Sequence, residues 1–304
     1  MRPKPARIGN MPADIAEWKI FAPTRDRLGE SILWHPAEQA LYWIDFYGPT
    51  VHRQRQGSGA RDSWKMDFAE TIGSLVLTEK GLLLAVDHGL HLLDTATGKT
   101  RVFANPKQGQ MNLVYNDAKV DRAGRYWVGT YDVSEREPNA LFYRMVPGTG
   151  WVVGDRGFVI CNGPAFSPDN RKLYFSDTVG RRILSYNLGN DGSISGRRVF
   201  FTFANNDGMP DGLAVDSAGN VWCALYGGSK VVCIDPKGTL RRSLYLPATF
   251  VTSLCFAGPE LKTLYVTTGW DGSTTEATKA NDVGGAVFMR RVDIAGLPEP
   301  IMAL

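Results

Sequence analysis

Residues 210–246, PDGLAVDSAGNVWCALYGGSKVVCIDPKGTLRRSLYL, show most clearly how this chain folds. They contain four short runs of aliphatic, β-branched and aromatic residues, each bounded by Gly, Pro, Asn or Asp: Gly212–Val215, Val221–Tyr226, Lys230–Asp235 and Thr239–Leu246. This pattern predicts four tightly turned antiparallel strands. A single four-stranded sheet leaves a hydrophobic face uncovered, so we expect further copies of the unit elsewhere in the chain.

A pair of aromatic or large apolar residues recurs in the second strand of each unit, about every 41 to 48 residues. The six pairs are Tyr42-Trp43, Leu83-Leu84, Tyr126-Trp127, Leu173-Tyr174, Val221-Trp222 and Leu264-Tyr265. A turn such as DRAGR or DSAGN precedes most of them. A period near forty with four strands per unit is typical of β-propellers. The sequence therefore predicts an all-β, six-bladed β-propeller with four antiparallel strands per blade.

The whole chain, 1–304, is predicted to be one domain, because no segment rich in Pro, Gly or Ser marks a boundary. Residues 1–17 are expected to form a flexible N-terminal extension. The strand-like segment Trp18–Phe21 precedes the first full unit. We predict that it pairs into the last blade and closes the ring without a free edge.

Composition argues against several classes of partner. The 304 residues are 43% hydrophobic and 21% charged, the net charge is +3, and the Arg pairs are spread along the chain, so no nucleic-acid partner is expected. No apolar stretch has the length of a signal peptide or a membrane span, which predicts a cytoplasmic protein without a membrane partner. The four cysteines lack C-x-x-C spacing, which predicts buried free thiols. We expect a monomer or a weak dimer.

The first residues of the innermost strands look into the central channel of a propeller, and in this chain they are polar. Counting back about eleven to thirteen residues from the apolar pairs reaches Glu30, Asn116, Asn162, Asp211 and Thr252. Carboxylate and amide oxygens without His or thiolate suit Ca²⁺, Mg²⁺ or Mn²⁺ better than a structural zinc ion. Burying such groups together is costly without a compensating cation. The sequence contains no G-x-S-x-G, P-loop or G-x-G-x-x-G motif.

Five segments resemble the gluconolactonase, regucalcin and luciferin-regenerating enzyme family: LGESILWHPAEQALYWID, YNDAKVDRAGRYWVGT, NGPAFSPDNRKLYFSDT, PDGLAVDSAGNVWCALYGG and TSLCFAGPELKTLYVT. The resemblance extends over about 28–269. It implies a six-bladed propeller that holds one divalent cation, with Ca²⁺ favoured and Zn²⁺, Mn²⁺, Mg²⁺ or Fe²⁺ as alternatives. It also implies that Glu30, Asn162 and Asp211 are metal ligands and that Asn116 contacts substrate near the metal.

Two positions depart from the family pattern. Val114 stands where sugar-lactone members often carry the Arg of Arg-x-Asn-Asp, and Ser134, beside Glu135, stands where a family Glu is expected. We predict that Val114, Tyr115 and Tyr131 form a substrate-binding wall. Because an apolar wall lacks the donors of an Arg, a pentono- or deoxyhexono-1,4-lactone is expected to be a better substrate than glucono-1,5-lactone.

The resulting hypothesis is a divalent-metal-dependent hydrolase of carbohydrate metabolism that opens an aldono-1,4- or 1,5-lactone to the sugar acid. The metal would polarise the lactone carbonyl, and Asp211 would be the catalytic general base. Alternatively, a water held by the metal supplies the nucleophile and Asp211 orients it. Two other functions stay open: a non-enzymatic, metal-stabilised binding module, and an aryl-ester or phosphotriester hydrolase that uses the same site.

Overall fold

The computed structural model describes residues 13–146, 150–270 and 283–304. These residues form 24 β-strands and one short 3-10 helix, Ala13–Glu17, which confirms the predicted all-β class. Of the predicted N-terminal extension, residues 1–12 lie outside the described part of the chain. No helix among the described residues is long and apolar enough to cross a membrane.

Four sheets contain four antiparallel strands each, arranged in chain order. The first consists of β2 (Gly29–His35), β3 (Ala40–Asp45), β4 (Thr50–Arg55) and β5 (Arg61–Lys65). The second consists of β6 (Ile72–Thr78), β7 (Gly81–Val86), β8 (Gly89–Leu93) and β9 (Thr100–Ala104). The third consists of β10 (Leu113–Val120), β11 (Tyr126–Asp132), β12 (Ala140–Val146) and β13 (Gly150–Phe158). The fourth consists of β14 (Cys161–Phe166), β15 (Lys172–Asp177), β16 (Arg182–Leu188) and β17 (Ile194–Thr202).

The fifth sheet has eight strands in two antiparallel halves. One half consists of β18 (Met209–Val215), β19 (Val221–Tyr226), β20 (Lys230–Ile234) and β21 (Leu240–Tyr245). The other consists of β22 (Phe250–Ala257), β23 (Thr263–Gly269), β24 (Val287–Arg291) and β1 (Lys19–Ala22). The pair Tyr226 and Phe250 joins the two halves. The described residues thus form five hydrogen-bonded sheets in a propeller-like arrangement, where the sequence predicted six separate blades.

The inner strands surround a central channel. β2, β6, β10, β14, β18 and β22 contact one another in a closed circle, whereas outer strands such as β5 and β17 are mostly exposed. The inner strands approach one another closely. A Cβ on Gly73 of β6 would lie 2.3 Å from the Tyr115 carbonyl oxygen on β10, so only glycine fits at this position.

Hydrophobic clusters fill the space between neighbouring sheets. Adjacent residues of a strand point to opposite faces, so each apolar pair supplies one side chain to the preceding cluster and one to the following cluster. Tyr126 shares a cluster with Leu83 of the second sheet, whereas Trp127 packs toward the fourth sheet. Trp43 and Tyr265 share the cluster between the first and fifth sheets. The pairs are therefore core residues, and the four cysteines are buried and free, both as predicted.

The N-terminal strand completes the fifth sheet. β1 pairs antiparallel with β24, with Lys19 opposite Met289 and Ile20 opposite Phe288. This is the pairing that the sequence predicts for Trp18–Phe21. It covers an edge of β24 that would otherwise expose unpaired backbone groups.

The chain after β24 crosses the end of the channel that lies opposite to the first residues of the inner strands. Ser217 and Arg122, in the turns that follow β18 and β10, donate hydrogen bonds to carbonyl oxygens of this segment. Its Met302 N–H donates to the Leu77 carbonyl near the end of β6 (2.8 Å). We refer to residues 295–303 as the crossing segment.

Candidate active site

Each inner strand departs from regular pairing shortly after its first residues. The register shifts between Glu30 and Leu33 on β2 and between Asn162 and Ala165 on β14. Corresponding shifts occur on β6, β10, β18 and β22. A β-bulge changes the direction in which side chains point, and bulges are frequent beside active sites. The predicted site residues therefore lie at bulged positions around one end of the channel, which we call the mouth.

Asn116 and Asn162 are in direct contact at the mouth. Asn116 Nδ2 donates hydrogen bonds to Asn162 Oδ1 (2.6 Å) and to the Cys161 carbonyl (2.9 Å). Asn162 Nδ2 donates to Thr178 Oγ1 (3.0 Å), and the Thr178 hydroxyl donates to the Pro210 carbonyl (2.9 Å). These bonds fix the orientation of the Asn162 amide and leave a lone pair of its Oδ1 for a ligand. The sequence analysis missed Thr178, a polar residue directly after the apolar strand β15.

Glu30 and Asp211 are buried carboxylates, exposed by only 9% and 5%. Burial, followed by the negative charges of Asp211 and Asp117, raises the pKa of Glu30 well above its ordinary value. Burial and the charge of Asp117 likewise raise the pKa of Asp211. No cationic side chain of the described residues is among the groups that shift these two pKa values. A bound cation would relieve the repulsion.

Asp117 is a third carboxylate of this group, and the sequence analysis did not single it out. On a regular strand it would point away from Asn116, but the register shifts between Tyr115 and Ala118, and Asp117 lines the channel. Its Oδ1 accepts a hydrogen bond from the Ala118 N–H (2.9 Å). Burial raises the pKa of Asp117 to about 7, although the charge of Lys119 opposes this shift.

The structure separates the three residues of the predicted substrate-binding wall. Val114 and Tyr131 are cross-strand partners on β10 and β11, and both are partly exposed. Phe46, the residue directly after β3, lies near Tyr131, with 6.2 Å between the ring centroids. Tyr115 is instead fully buried between the second and third sheets, and its hydroxyl donates to Asn105 Oδ1 (2.9 Å). Adjacent strand residues alternate faces, so Tyr115 points away from Val114.

Two further residues from the sequence analysis lie near these groups. The Thr252 hydroxyl donates to the Gly29 carbonyl and holds β22 against β2. Glu135 follows β11 in a left-handed conformation, with φ of 53°. Burial, the Tyr47 phenol and the charge of Glu135 raise the pKa of Tyr131.

The donors at the mouth fit a hard divalent cation. Two carboxylates, Glu30 and Asp211, and the amide oxygen of Asn162 come from three inner strands, and oxygen ligands of these types suit Ca²⁺ and Mg²⁺. In the part of the chain that the structure describes, no three His, Cys, Asp or Glu side chains could hold a metal ion among themselves. An ion at the mouth would therefore depend on the Asn162 amide.

The fold and the mouth together define a propeller-like protein with an acidic, amide-lined site at one end of its channel. Residues 28–269 match the family described as SMP-30/Gluconolactonase/LRE-like region, and the chain belongs to this family. The resemblance found in the sequence is thereby confirmed.

The relatives cover nearly the whole chain. It is 33% identical over 280 residues to 6-deoxy-6-sulfogluconolactonase of Pseudomonas putida, which covers 91% of this chain and 95% of the relative. It is 34% identical over 284 residues to pentonolactonase XacC of Haloferax volcanii, covering 91% and 94%. The crystal structure of a calcium-binding protein, regucalcin, from Agrobacterium tumefaciens matches with a TM-score of 0.88 at 26% identity, covering 94% and 97%.

Proposed function

We propose that this protein is a divalent-metal-dependent lactonase that opens a sugar lactone to the sugar acid. The observation that carries the proposal is the pair of buried carboxylates, Glu30 and Asp211, which repel each other beside the oriented amide of Asn162. Two relatives that share about a third of the sequence are named as lactonases, which are carboxylic ester hydrolases. A solved relative is named as calcium-binding, which supports Ca²⁺ as the first ion to test.

Each residue at the mouth has a defined part in this proposal. Glu30, Asn162 and Asp211 hold the cation, which when bound would supply Lewis-acid polarisation of the lactone carbonyl. Asp211 accepts a proton from the attacking water or orients that water toward the carbonyl carbon. The new carbon–oxygen bond replaces the ring ester bond, and the released hydroxyl takes up a proton. Asn116, held against Asn162, donates a hydrogen bond to the substrate.

The proposed substrate-binding wall contains fewer residues than the sequence predicted. Val114 and Tyr131 lie side by side on the neighbouring strands β10 and β11, so they are proposed to line the bound lactone. Tyr115 is left out, because its ring and hydroxyl are used in the core. The expected preference for a five-membered lactone therefore rests on Val114 and Tyr131 alone.

We also propose that the eight-stranded sheet acts as two blades, so that the propeller has six blades within a single domain. The circle of inner strands supports this count, as does the pair Tyr226 and Phe250 that joins the two halves. Buried free thiols suit a reducing compartment, so a cytoplasmic location is proposed. A monomer or a weak dimer is proposed for the same protein.

The metal requirement is tested by removing and restoring the ion. Chelator-treated protein is expected to lose hydrolysis of pentono- and hexonolactones and to regain it with Ca²⁺, Mn²⁺ or Zn²⁺. A panel of aryl esters and a phosphotriester measured in parallel separates lactone hydrolysis from the alternative esterase. Full activity in chelator would contradict the metal dependence. A folded protein that hydrolyses none of these substrates would instead favour a binding module.

The role of Asp211 is tested by Asp211→Asn. The variant is expected to lose at least about a hundredfold in kcat, because an amide cannot accept the proton from water. Circular dichroism should show an unchanged β-sheet spectrum. Asp293→Asn is the matched control, because it makes the same replacement of a carboxylate by an amide at a residue that is exposed on the surface. A kcat within threefold of the natural enzyme would remove Asp211 from the mechanism.

A further inference from the structure

The crossing segment carries a carboxylate into the channel. Glu299 Oε1 lies 3.6 Å from Lys119 Nζ, and these side chains are exposed by only 16% and 19%. Arg122 donates a hydrogen bond to the carbonyl of the preceding residue, Pro298, and lines a second cavity together with Lys119 and Glu299. Glu299 and Lys119 line the same cavity as Asp117. The end of the channel opposite to the mouth therefore holds one carboxylate between two cations.

The crossing segment is held in place by specific contacts. Gly296 N–H donates to the Leu261 carbonyl (2.8 Å), and a Cβ on Gly296 would lie 2.2 Å from the Phe256 Cβ. Met302 is fully buried in the cluster between the second and third sheets. Because both sides of Glu299 are anchored in this way, its carboxylate has a defined position in the channel.

The charged groups of the channel act on one another from the mouth to the crossing segment. Asp117 lies two residues before Lys119 on β10, and the charges of Lys119 and Glu299 act on Asp117 with opposite signs. The cavity that Asp117, Lys119 and Glu299 line is also lined by Ser31, the residue directly after Glu30. In an enclosed channel of low effective dielectric, unit charges influence one another over about 10 Å. A change of charge at the crossing segment is therefore expected to act on the carboxylates of the mouth.

We propose that Lys119 and Glu299 are positioning residues for the cation at the mouth: Glu299 cancels the charge of Lys119, so that the mouth carboxylates keep their affinity for a divalent ion. The inference rests on the proposed metal-dependent function. It gives the crossing segment a part in cation binding through charge, without any contact to the ion.

The proposal predicts how the charge of the pair sets the affinity. Glu299→Gln leaves Lys119 uncompensated, and we expect the Kd for Ca²⁺ to rise about tenfold. Glu299→Asp keeps the charge and should stay within about twofold of the natural protein. Lys119→Met removes the positive charge and should lower the Kd. The double variant Lys119→Met with Glu299→Gln removes one charge of each sign, so it keeps the natural net charge and should return the Kd to within about threefold of the natural value.

The experiment is calorimetric titration of the chelator-treated full chain with CaCl2, with melting temperatures recorded for every variant. Glu260→Gln is the control, because Glu260 forms an exposed ion pair with Arg291 and the substitution changes the net charge equally. An unchanged Kd in folded Glu299→Gln, or a double variant as weak as Glu299→Gln, would overturn the proposal. If Glu299→Gln does not fold, an unchanged Kd in Lys119→Met overturns it.

The same titration distinguishes failure of this inference from failure of the proposed function. A natural protein that binds none of Ca²⁺, Mn²⁺ and Zn²⁺ would overturn both. A natural protein that binds one of these ions, with variants that bind it equally well, would overturn the role of Lys119 and Glu299 alone. At saturating Ca²⁺ the kcat of Glu299→Gln should recover to within twofold of the natural value, whereas a distorted mouth would not recover.

Discussion

Val114 is the residue expected to set substrate preference. An Arg at this position would add several hydrogen-bond donors to the substrate-binding wall beside Tyr131. Each hydrogen bond to a sugar hydroxyl is worth about 0.5–1.5 kcal/mol. Val114→Arg should therefore raise kcat/KM for glucono-1,5-lactone relative to a pentono-1,4-lactone by about threefold to tenfold. Initial rates on a panel of glucono-, galactono-, arabinono-, xylono- and rhamnonolactones measure this ratio.

The control for this substitution is Val102→Arg, because Val102 is an exposed residue on the outer strand β9. It should leave the ratio unchanged. A natural enzyme that already prefers glucono-1,5-lactone would contradict the role of Val114. Another polar group near the mouth would then have to hold the hydroxyls, and Asn116 or Glu135 would be tested next.

Single residues of the mouth differ in how far the sequence can predict them. Glu30, Asn162 and Asp211 can be predicted because they stand at similar distances before the apolar pairs and match the ligands that the family resemblance implies. Asp117 is hidden, since strand alternation assigns it to the opposite face and only the register shift on β10 turns it into the channel. Tyr115 shows the converse, because regular alternation along β10 places it on the face opposite to Val114, in the hydrophobic core.

At the level of elements, the turns before Tyr126-Trp127 and Val221-Trp222 are each held by a buried Asp, Asp121 and Asp216. Asp121 accepts hydrogen bonds from Trp127 Nε1 (3.0 Å), from Arg125 Nε (2.6 Å) and from the Ala123 N–H (2.9 Å). Asp121→Ala removes the carboxylate partner of the buried Arg125 guanidinium, which keeps its bond to the Asn190 carbonyl, and leaves the Trp127 indole N–H without its acceptor. We expect the free energy of unfolding to fall by about 3–5 kcal/mol, as measured by denaturant titration.

Asp169 provides the comparison for this loss. It lies in the corresponding turn of the fourth sheet but is exposed. Asp169→Ala should cost less than about 1 kcal/mol, because water replaces its hydrogen bonds. Equal losses for the two variants would show that burial of Asp121 does not matter.

Strand positions follow from the repeat, but their ends do not. The runs predicted in 210–246 correspond to β18–β21, and β19 has the predicted bounds. β18 begins at Met209 and includes Pro210, although proline normally ends a strand. Proline is tolerated there because it lies near the beginning of the strand, where a missing N–H costs little. The bulges likewise depend on packing around the channel, which local sequence does not encode.

For the whole molecule, the mouth carboxylates should make the metal-free protein less stable as the pH rises. The pKa of Asp117 is about 7 in the folded protein, compared with an ordinary value of 3.8. Between these values the folded state holds a proton that the unfolded chain has released, so stability falls from about pH 4 to about pH 7. Glu30 and Asp211, whose pKa values are also raised, act in the same direction.

Scanning calorimetry in chelator at pH 5 and pH 8 measures this fall, which should be smaller in Asp117→Asn. Calcium at a hundredfold excess over its Kd should add about 2.7 kcal/mol of stability at pH 8. Melting temperatures that are equal at both pH values in chelator would contradict the raised pKa of Asp117. Equal melting with and without calcium would contradict cation binding.

The strands β1 and β24 are neighbours in the fifth sheet, although nearly the whole sequence lies between them. A chain that is still being synthesised therefore cannot close its ring until β24 has left the ribosome. Before the ring closes, the apolar cluster that contains Trp43 and Tyr265 is incomplete. Its side chains are then exposed to water and to neighbouring nascent chains. We expect the unfinished ring, more than the mature protein, to be the species that chaperones and proteases recognise.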